Sequence, residues 1–423
     1  MASVLLAFFS GSCLSSREAD TYYGTAVPPS TQELRWSDGG LPRSFDPAQA
    51  AAAPETDVVR ALFEGLTDYD PQTLSTLPAA AISWESSADH REWTFRLRRD
   101  AHWTNGDAVT SGDFVRSWQR ALKQGEKTPH ADLLRSIEGA SESLPQPITS
   151  SRRNQDLTLE ARQGRGSSFG VQSIDDYTLR VRLARSNPHF PDLVAHPVFR
   201  PVHQANSDGD FNDQSTGRII SNGAFKLLEA TPEQVTLDRS RNYWDASRVA
   251  LDRVKFVQTV DNERALNLYR AGEINAVSNA NLEPLAVKLL TPYQDFRRRT
   301  FGALVYYSFN MRHPALADRR VREALAIAIN RQRLCADIMD GVTEPAEDFL
   351  PDWPGKATGK EIPPTQLRYD PARAKRLMSE AGYDNGHNFP RIRLLVNRND
   401  QQRGRWPSQS PRCGKRRLVL RLR

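Results

Sequence analysis

Residues 93–122 read WTFRLRRDAHWTNGDAVTSGDFVRSWQRAL, and this stretch decides the fold around it. Its first part alternates the large apolar residues Trp93, Phe95 and Leu97 with polar ones, which predicts a strand with one buried face. The Asn-Gly-Asp triplet at 105–107 then predicts a turn, because these residue types favour the backbone angles of tight turns.

The second part of the stretch predicts a helix. Thr110 and Asp113 have the spacing of a capping box, in which a hydroxyl accepts from the helix start and a carboxylate reaches back. Phe114, Trp118 and Leu122 recur at every fourth residue, so they would share one apolar face. The whole stretch is therefore predicted to be a strand–turn–helix unit packed on a core.

Length and charge bound the class of protein. The 423 residues are enough for two or three domains with sizeable cores. The net charge of +6 and the pI near 9.2 would suggest an anionic partner such as nucleic acid. However, residues 403–423 hold eight of the 57 cationic residues and no acid, and without them the balance is 49 against 51. The body of the chain is near neutral, so we predict no nucleic-acid partner.

The sequence contains no recognisable catalytic or metal-binding motif. Cys13, Cys335 and Cys413 are too few and too scattered for a disulfide framework or a metal site. The eight histidines include no pair at i, i+4, and there is no P-loop, H-E-x-x-H or G-x-S-x-G motif. No run of eighteen apolar residues predicts a transmembrane helix. We therefore expect no metal, no cofactor and no enzymatic activity; a hydrolase stays an alternative that a covalent active-site probe would test.

The stretch at 93–122 closely resembles a signature of the oligopeptide-binding proteins, the family 5 extracellular solute-binding components of ABC importers. The resemblance rests on the W-T-F-x-L-R-x-D-A-x-W run and the D-F-V-x-S-W-Q-R helix, and it recurs from about Leu34 to Gln402. It implies an α/β, two-lobe periplasmic-binding-protein (Venus flytrap) fold with an extra inserted lobe. It also implies that lobe closure captures oligopeptides or dipeptides, which are then delivered to ABC transporter permease subunits.

The resemblance implies a division of the chain into lobes. The expected segments are a leader at 1–20, a linker at 21–32, lobe I at 33–55 and 200–262, lobe II at 56–199, lobe III at 263–402 and a basic tail at 403–423. Lobe II is an accessory lobe inserted into lobe I, and lobe III is expected to be incomplete at the C-terminus.

The first residues resemble the leader of a bacterial lipoprotein. An apolar run is followed by small residues and Cys13, which would be the lipidated residue. The alternative is an ordinary frayed N-terminus. With a leader, the protein would be a periplasmic monomer or would lie on the extracytoplasmic face of the membrane, held there by a lipid.

The resemblance also implies where a ligand would bind. Ala51, Ala53, Asn279 and Tyr306 match positions that line the cleft of peptide binders, and His130 matches a position that can hold an aromatic ring against the ligand. For His130 the alternative is an ordinary surface or core histidine. For Asn279 and Tyr306 the alternative is an ordinary residue at a strand end.

Local patterns predict further elements around these positions. Alternation predicts single strands at Ile174–Leu183 and Val305–Asn310. Residues 318–329 are predicted to form a helix with Val321, Leu325 and Ile329 facing inward. A second helix, capped by Asn330, would bury the Cys335 thiol.

After Gln402 the resemblance ends, and residues 403–423 are rich in Arg, Pro, Ser and Gly. This composition is typical of a GC-rich gene read out of frame, so we expect a frameshifted tail; the alternative is a true basic tail for anionic partners. Two further readings stay open. One is a truncated family member that binds peptide poorly, and the other is a binder of another solute, such as a nickel chelate or a sugar.

Overall fold

A computed structural model describes residues 22–25, 31–140, 169–207, 211, 219–259, 261–280, 282–299, 303–339, 341–346, 368–394 and 418–420. The chain divides into a larger compact unit, Gly24–Asn281, and a smaller one formed by Met1–Tyr23 and Leu282–Arg423. The predicted leader with Cys13, Cys413 and most of the basic tail lie outside the described residues. The lobe bounds implied by the resemblance stay a prediction.

The strands of the larger unit are β1 (Glu33–Asp38), β2 (Thr67–Tyr69), β3 (Thr76–Pro78), β4 (Ala81–Ser86), β5 (Glu92–Leu97), β6 (Val171–Asp175), β7 (Thr178–Arg182), β8 (Phe225–Ala230), β9 (Gln234–Arg239), β10 (Arg253–Val257) and β11 (Ala276–Ser278). The smaller unit adds β12 (Ile392–Leu394) and β13 (Leu418–Leu420), which pair antiparallel.

The longer helices of the described residues are Glu55–Leu62, Ser111–Gln124, Asn262–Arg270, Pro284–Leu290, Arg319–Ile327 and Pro371–Glu380. Short helical segments are Ala131–Leu134, Phe190–Leu193, Gln204–Ser207, Pro314–Ala317 and Arg331–Arg333, the last continuing as a π-helix over Leu334–Ile338. Single 3₁₀ turns lie at Gly125–Lys127, Pro197–Phe199, Ala246–Arg248 and Asp384–Gly386. In the described part of the chain, no helix has the length and apolar character needed to cross a bilayer.

Strand β1 lies between two parallel neighbours in a five-stranded sheet of order β11-β1-β10-β9-β8. β10 reaches β11 through the helix Asn262–Arg270, so this crossover spans β1. β9 and β8 pair antiparallel and complete the sheet. The carboxyl ends of β1 and β11 therefore meet at one edge of the sheet, where Asp38 lies opposite Ser278.

The stretch at 93–122 forms the predicted strand–turn–helix unit. β5 is an interior strand of the four-stranded antiparallel sheet β4-β5-β7-β6, and its three large apolar residues are buried. The capping box is confirmed, because the Thr110 N–H donates to the Asp113 carboxylate over 2.8 Å at the start of the helix Ser111–Gln124. Local sequence therefore determined this part of the fold.

The helix that follows carries the centre of the core of the larger unit. Phe114, Trp118 and Leu122 are all buried, as predicted. The Trp118 indole N–H donates to the carbonyl oxygen of Phe199 over 2.8 Å, and the two rings meet edge to face at 5.2 Å. A large apolar ring thus fills the core while its one polar atom stays hydrogen-bonded.

The prediction of one strand at Ile174–Leu183 is wrong. Residues Asp175–Thr178 turn the chain between β6 and β7, which pair antiparallel with an irregular register near Asp175. β7 is interior, because it also pairs with β5, and only β6 lies at the sheet edge. The alternation of apolar and polar residues extends from the turn into β7, so the pattern alone does not reveal the turn.

In the smaller unit the helix Arg319–Ile327 packs against the helix Pro371–Glu380. The buried residues of this contact are Ala324, Ile327 and Ala374. The predicted inward face is partly wrong: Val321 is buried, but the helix ends at Ile327 and Ile329 is exposed.

Two further predictions for the smaller unit are corrected. Cys335 is partly exposed rather than buried, because the segment after Asn330 is a single α-turn that widens into a π-helix. The predicted cap is confirmed, since Asn330 Oδ1 accepts from the Arg333 N–H over 2.9 Å. Residues 303–310 belong to no strand in the described part of the chain, because an alternating pattern alone provides no partner for a β-ladder.

The core of the larger unit predicts a test with matched tryptophan variants. Trp118→Phe leaves the Phe199 carbonyl without its indole donor and opens a small cavity, so we expect a loss of about 2 kcal/mol in the free energy of unfolding. Trp84→Phe on the partly buried β4 is the control and should lose well under half as much. Urea unfolding followed by far-ultraviolet circular dichroism measures both, and equal losses would contradict this account of the core.

Candidate functional site

Two predicted cleft residues, Ala51 and His130, meet in the larger unit. The Ala51 carbonyl oxygen lies 3.3 Å from His130 Nε2, and Ala51 itself is exposed. His130 occupies the cap position before the short helix Ala131–Leu134, which fixes the direction of its backbone. An exposed main-chain segment and an imidazole ring therefore form one polar surface.

The helix Ser111–Gln124 positions the segment that carries Ala51. Its Arg120 guanidinium donates to both carboxylate oxygens of Asp46, over 3.0 and 2.6 Å, and Gln124 donates to the same group over 3.0 Å. Asp46 is buried and also accepts from the Ala48 N–H over 2.9 Å. A bidentate ion pair fixes the distance and orientation of its two side chains. It therefore holds the segment between β1 and Ala51 against the helix Ser111–Gln124.

A second histidine lies beside His130. The ring centroids of His130 and His196 are 4.8 Å apart and nearly perpendicular. His196 Nδ1 accepts from the Val198 N–H over 3.2 Å, so its Nε2 carries the hydrogen of the neutral ring. Burial lowers the pKa of His196 to about 4, and electrostatic interaction with His130 and Arg200 acts in the same direction. At physiological pH the His196 ring is therefore uncharged, and it packs edge to face against His130.

Asn279, a third predicted residue, lies at the carboxyl edge of the five-stranded sheet. Its backbone is left-handed, with φ of 50°, and its side-chain amide donates to Asp38 Oδ1. The Ser278 hydroxyl donates to the same oxygen over 2.5 Å and accepts from the Trp36 indole N–H over 2.8 Å. Asn279 is exposed, whereas Asp38 is fully buried.

The buried Asp38 carboxylate faces a second carboxyl group. Asp57, in the first turn of the helix Glu55–Leu62, lies next to Asp38. Burial raises the pKa of Asp57 to about 6, the nearby Asp38 raises it in the same direction, and Arg60 opposes the shift. Adjacent negative charges repel, so the neighbouring acid favours the protonated form of Asp57.

Four of the five predicted ligand-binding residues belong to the larger unit. Asn279 contacts Asp38, and Asp38 contacts Asp57. Asp57 lies four residues after Ala53, which precedes the helix, and Ala51 contacts His130. The fifth residue, Tyr306, belongs to the smaller unit and is 62% exposed. The roles of these residues in binding stay a prediction.

Sequence reasoning missed the Asp38–Asp57 pair. Asp57 has the pattern of an ordinary acid in the first turn of a helix, and Asp38 that of a polar residue after a strand. One signal was available, because polar residues at the carboxyl ends of parallel strands often line a ligand crevice. It required knowing that β1 has parallel neighbours, which are more than 200 positions away in the chain.

A second buried acid, Glu64, fixes the helix Glu55–Leu62 to the rest of the unit. Its carboxylate accepts from the Tyr243 hydroxyl over 2.6 Å and from the Trp244 indole N–H over 2.9 and 3.1 Å. Burial raises the pKa of Glu64 to about 7, and its hydrogen bonds and the charges of Arg200 and Arg98 oppose that shift. The Trp244 ring also lies 3.2 Å from the Arg98 guanidinium carbon.

The described residues contain no group of three or more His, Cys, Asp or Glu side chains arranged to hold a metal ion. An open cavity of about 500 Å³ lies between the start of the helix Ser111–Gln124 and Gln204–Ser207. It is lined by residues such as Trp103, Asp107 and His203, and none of the predicted ligand-binding residues borders it. The candidate site therefore consists of the predicted residues Asn279, Ala51, Ala53 and His130, together with Asp38 and Asp57.

The Asp38–Asp57 pair makes stability depend on pH. The folded chain holds the Asp57 proton up to about pH 6, whereas an ordinary aspartate loses it near 3.8. The folded state therefore binds more protons in this window, and its stability falls as the pH rises through it. Asp57→Asn replaces the titrating carboxyl group by an amide that is uncharged at every pH.

We expect the unfolding free energy of Asp57→Asn to be higher than that of the wild-type chain at pH 7 and no higher at pH 4. The gain at pH 7 should be about 1 kcal/mol, because the group is partly exposed and solvent screens the repulsion. Urea unfolding at both pH values measures this, with the exposed Glu85→Gln as control. A gain that is the same at both pH values would show that the pair shares no proton.

Residues 76–406 match the family described as bacterial extracellular solute-binding proteins, family 5 Middle. The periplasmic murein peptide-binding protein MppA of Escherichia coli K12 is 32% identical over 371 residues, which are 85% of this chain and 66% of that protein. The periplasmic oligopeptide-binding protein OppA of the same organism is 31% identical over 411 residues, which are 94% of this chain and 71% of that protein. This chain thus spans about two thirds of the length of these relatives.

Solved structures agree with the sequence comparison. The structure of the Escherichia coli murein tripeptide-binding protein MppA is similar with a TM-score of 0.67 at 32% identity, over 85% of this chain and 68% of that one. The predicted α/β two-lobe fold class is confirmed by this likeness. The chain therefore belongs to the bacterial extracellular solute-binding proteins of family 5, which is a family of binding proteins and not of enzymes.

Proposed function

We propose that this chain is the solute-binding component of an ABC importer, that it captures oligopeptides or dipeptides by lobe closure, and that it delivers them to membrane permease subunits. The observation that carries the proposal is the placement of Asn279, Ala51, Ala53 and His130 on the larger unit, with Asn279 in contact with Asp38 and His130 in contact with Ala51. Four positions predicted to line a peptide cleft are separated by up to 228 positions in the sequence, and they come together on one unit. The relatives named for peptide binding support the same ligand class.

The chemistry of the site suits the main chain of a peptide. Ala51 and Ala53 offer no side-chain charge, and they lie outside the strands of the larger unit, so their backbone groups are not committed to a β-ladder. Recognition through backbone groups is tolerant of ligand sequence, because every peptide carries the same N–H and C=O groups. His130, packed against a neutral His196, would give the ligand a flat ring surface.

The setting of the proposed function is extracytoplasmic. The two Escherichia coli relatives, MppA and OppA, carry the word periplasmic in their names, which supports a periplasmic location or one on the outer face of the cell membrane. Lipidation at Cys13 stays a prediction outside the described residues, as does a monomeric state. Binding at the permease would follow ligand capture, because a ligand shifts a conformational equilibrium only through its different contacts in the two states.

Calorimetric titration of the full chain with a mixed pool of tri- to pentapeptides tests the proposal. We expect low-micromolar binding or tighter. His130→Ala should weaken binding about tenfold, because about 1.4 kcal/mol of ring contact is lost, while His130→Phe should keep most of the affinity.

The exposed His189→Ala is the matched control and should bind like the wild-type chain. No heat with peptides, together with saturable binding of a nickel chelate or a sugar, would move the chain to another solute class. No binding of any of these would favour a family member that has lost the transport function.

A further inference from the structure

We propose that the smaller unit carries a docking surface for the anionic headgroups of a phospholipid membrane. The surface is the outer side of the helix pair Arg319–Ile327 and Pro371–Glu380, which we call the basic face; its exposed cations are Arg319, Lys375 and Arg376. The inference goes beyond the proposed function, because it involves none of the predicted ligand-binding residues.

The first argument is the uneven distribution of charge between the two units. In the described residues of the larger unit, 24 Lys and Arg stand against 28 Asp and Glu. In those of the smaller unit, 16 Lys and Arg stand against nine Asp and Glu. None of these 16 cations belongs to the residues after Gln402, so the excess of positive charge lies on the smaller unit itself.

The second argument is that the cations of the basic face are not neutralised by neighbouring acids. Within the described part of the chain, Arg319, Lys375 and Arg376 form no ion pair, and Glu380, one turn after Arg376, is not bonded to it. The acids near these cations already have other partners, in the pairs Asp318–Arg320, Glu323–Arg373 and Asp337–Arg333. The face therefore offers free positive charge to a partner.

The third argument is the direction of these side chains. Ala374 is buried where the two helices pack together. Lys375 and Arg376 follow Ala374 by about 100° and 200° around the helix, so both point away from that contact. Both are exposed, and the other exposed residues on this side, Ala372 and Ser379, are small and uncharged. A flat partner can therefore reach the two cations together.

The fourth argument favours a lipid surface over other anionic partners. The Asp370 N–H donates to the Ile327 carbonyl oxygen over 2.9 Å, so the start of one helix meets the end of the other. Beside this contact Ile329 is 39% exposed and Tyr369 is 50% exposed. Tyrosine and aliphatic side chains next to Lys and Arg are typical of surfaces that lie among lipid headgroups. The periplasmic relatives MppA and OppA argue against nucleic acid as the partner.

Flotation with lipid vesicles tests the proposal. The full chain carries Cys13→Ser, which excludes an acyl anchor, and is mixed at low ionic strength with vesicles of phosphatidylglycerol and phosphatidylcholine in equal parts or of phosphatidylcholine alone. We expect binding to the anionic vesicles only, because each Lys or Arg near an anionic surface is attracted to it. Binding should be lost in about 0.5 M NaCl, because salt screens exposed charges.

Matched variants locate the surface. Lys375→Glu/Arg376→Glu should weaken binding to the anionic vesicles at least about tenfold. Lys375→Arg/Arg376→Lys keeps both charges and should bind like the unchanged chain. The control is Lys226→Glu/Arg241→Glu, which reverses two exposed cations of the larger unit and reaches the same net charge; it should change binding less than about threefold. Far-ultraviolet circular dichroism checks that each variant is folded.

Three outcomes would overturn the proposal. One is that Lys375→Glu/Arg376→Glu binds the anionic vesicles as well as the unchanged chain, since another surface, such as the basic residues at 403–423, would then be responsible. The second is equal weakening by both charge-reversal variants, which would reduce the effect to net charge. The third is binding of a DNA duplex without binding of anionic vesicles. None of these results depends on peptide binding, so the proposed function is tested separately.

Discussion

The position of β1 between two parallel strands is the constraint on which the larger unit depends. Parallel neighbours require a crossover, so residues 253–278 must form β10, a helix and β11 around a strand from the start of the chain. This arrangement puts the end of β1 at the carboxyl edge of the sheet and buries Asp38 there. The same strand then leads to the segment that carries Ala51 and to the helix with Asp57.

Two buried acids in this unit differ in how completely their oxygens are hydrogen-bonded within the protein. Glu64 accepts hydrogen bonds on both oxygens from Tyr243 and Trp244, so its shell is filled within the protein. Asp38 Oδ1 accepts from Ser278 and Asn279, whereas its buried Oδ2 has no donor among the described residues. Burying an unsatisfied group destabilises a fold, and such groups therefore concentrate where a ligand completes them.

The sequence predicted the local structure better than the site. Residues 93–122 carry their own strand period, turn and capping box, so the strand and helix could be predicted from neighbours in the chain. The hairpin of β6 and β7 could not, because its turn preserves the alternating period. The Asp38–Asp57 pair depends on strand neighbours more than 200 residues away, and no local pattern contains that information.

The pKa of Asp57 can be measured directly by a carbon-13 NMR titration of its carboxyl carbon in the full chain. The account predicts a transition near pH 6 without ligand. An ordinary transition near pH 4 would contradict the burial of Asp57 beside a second carboxyl group.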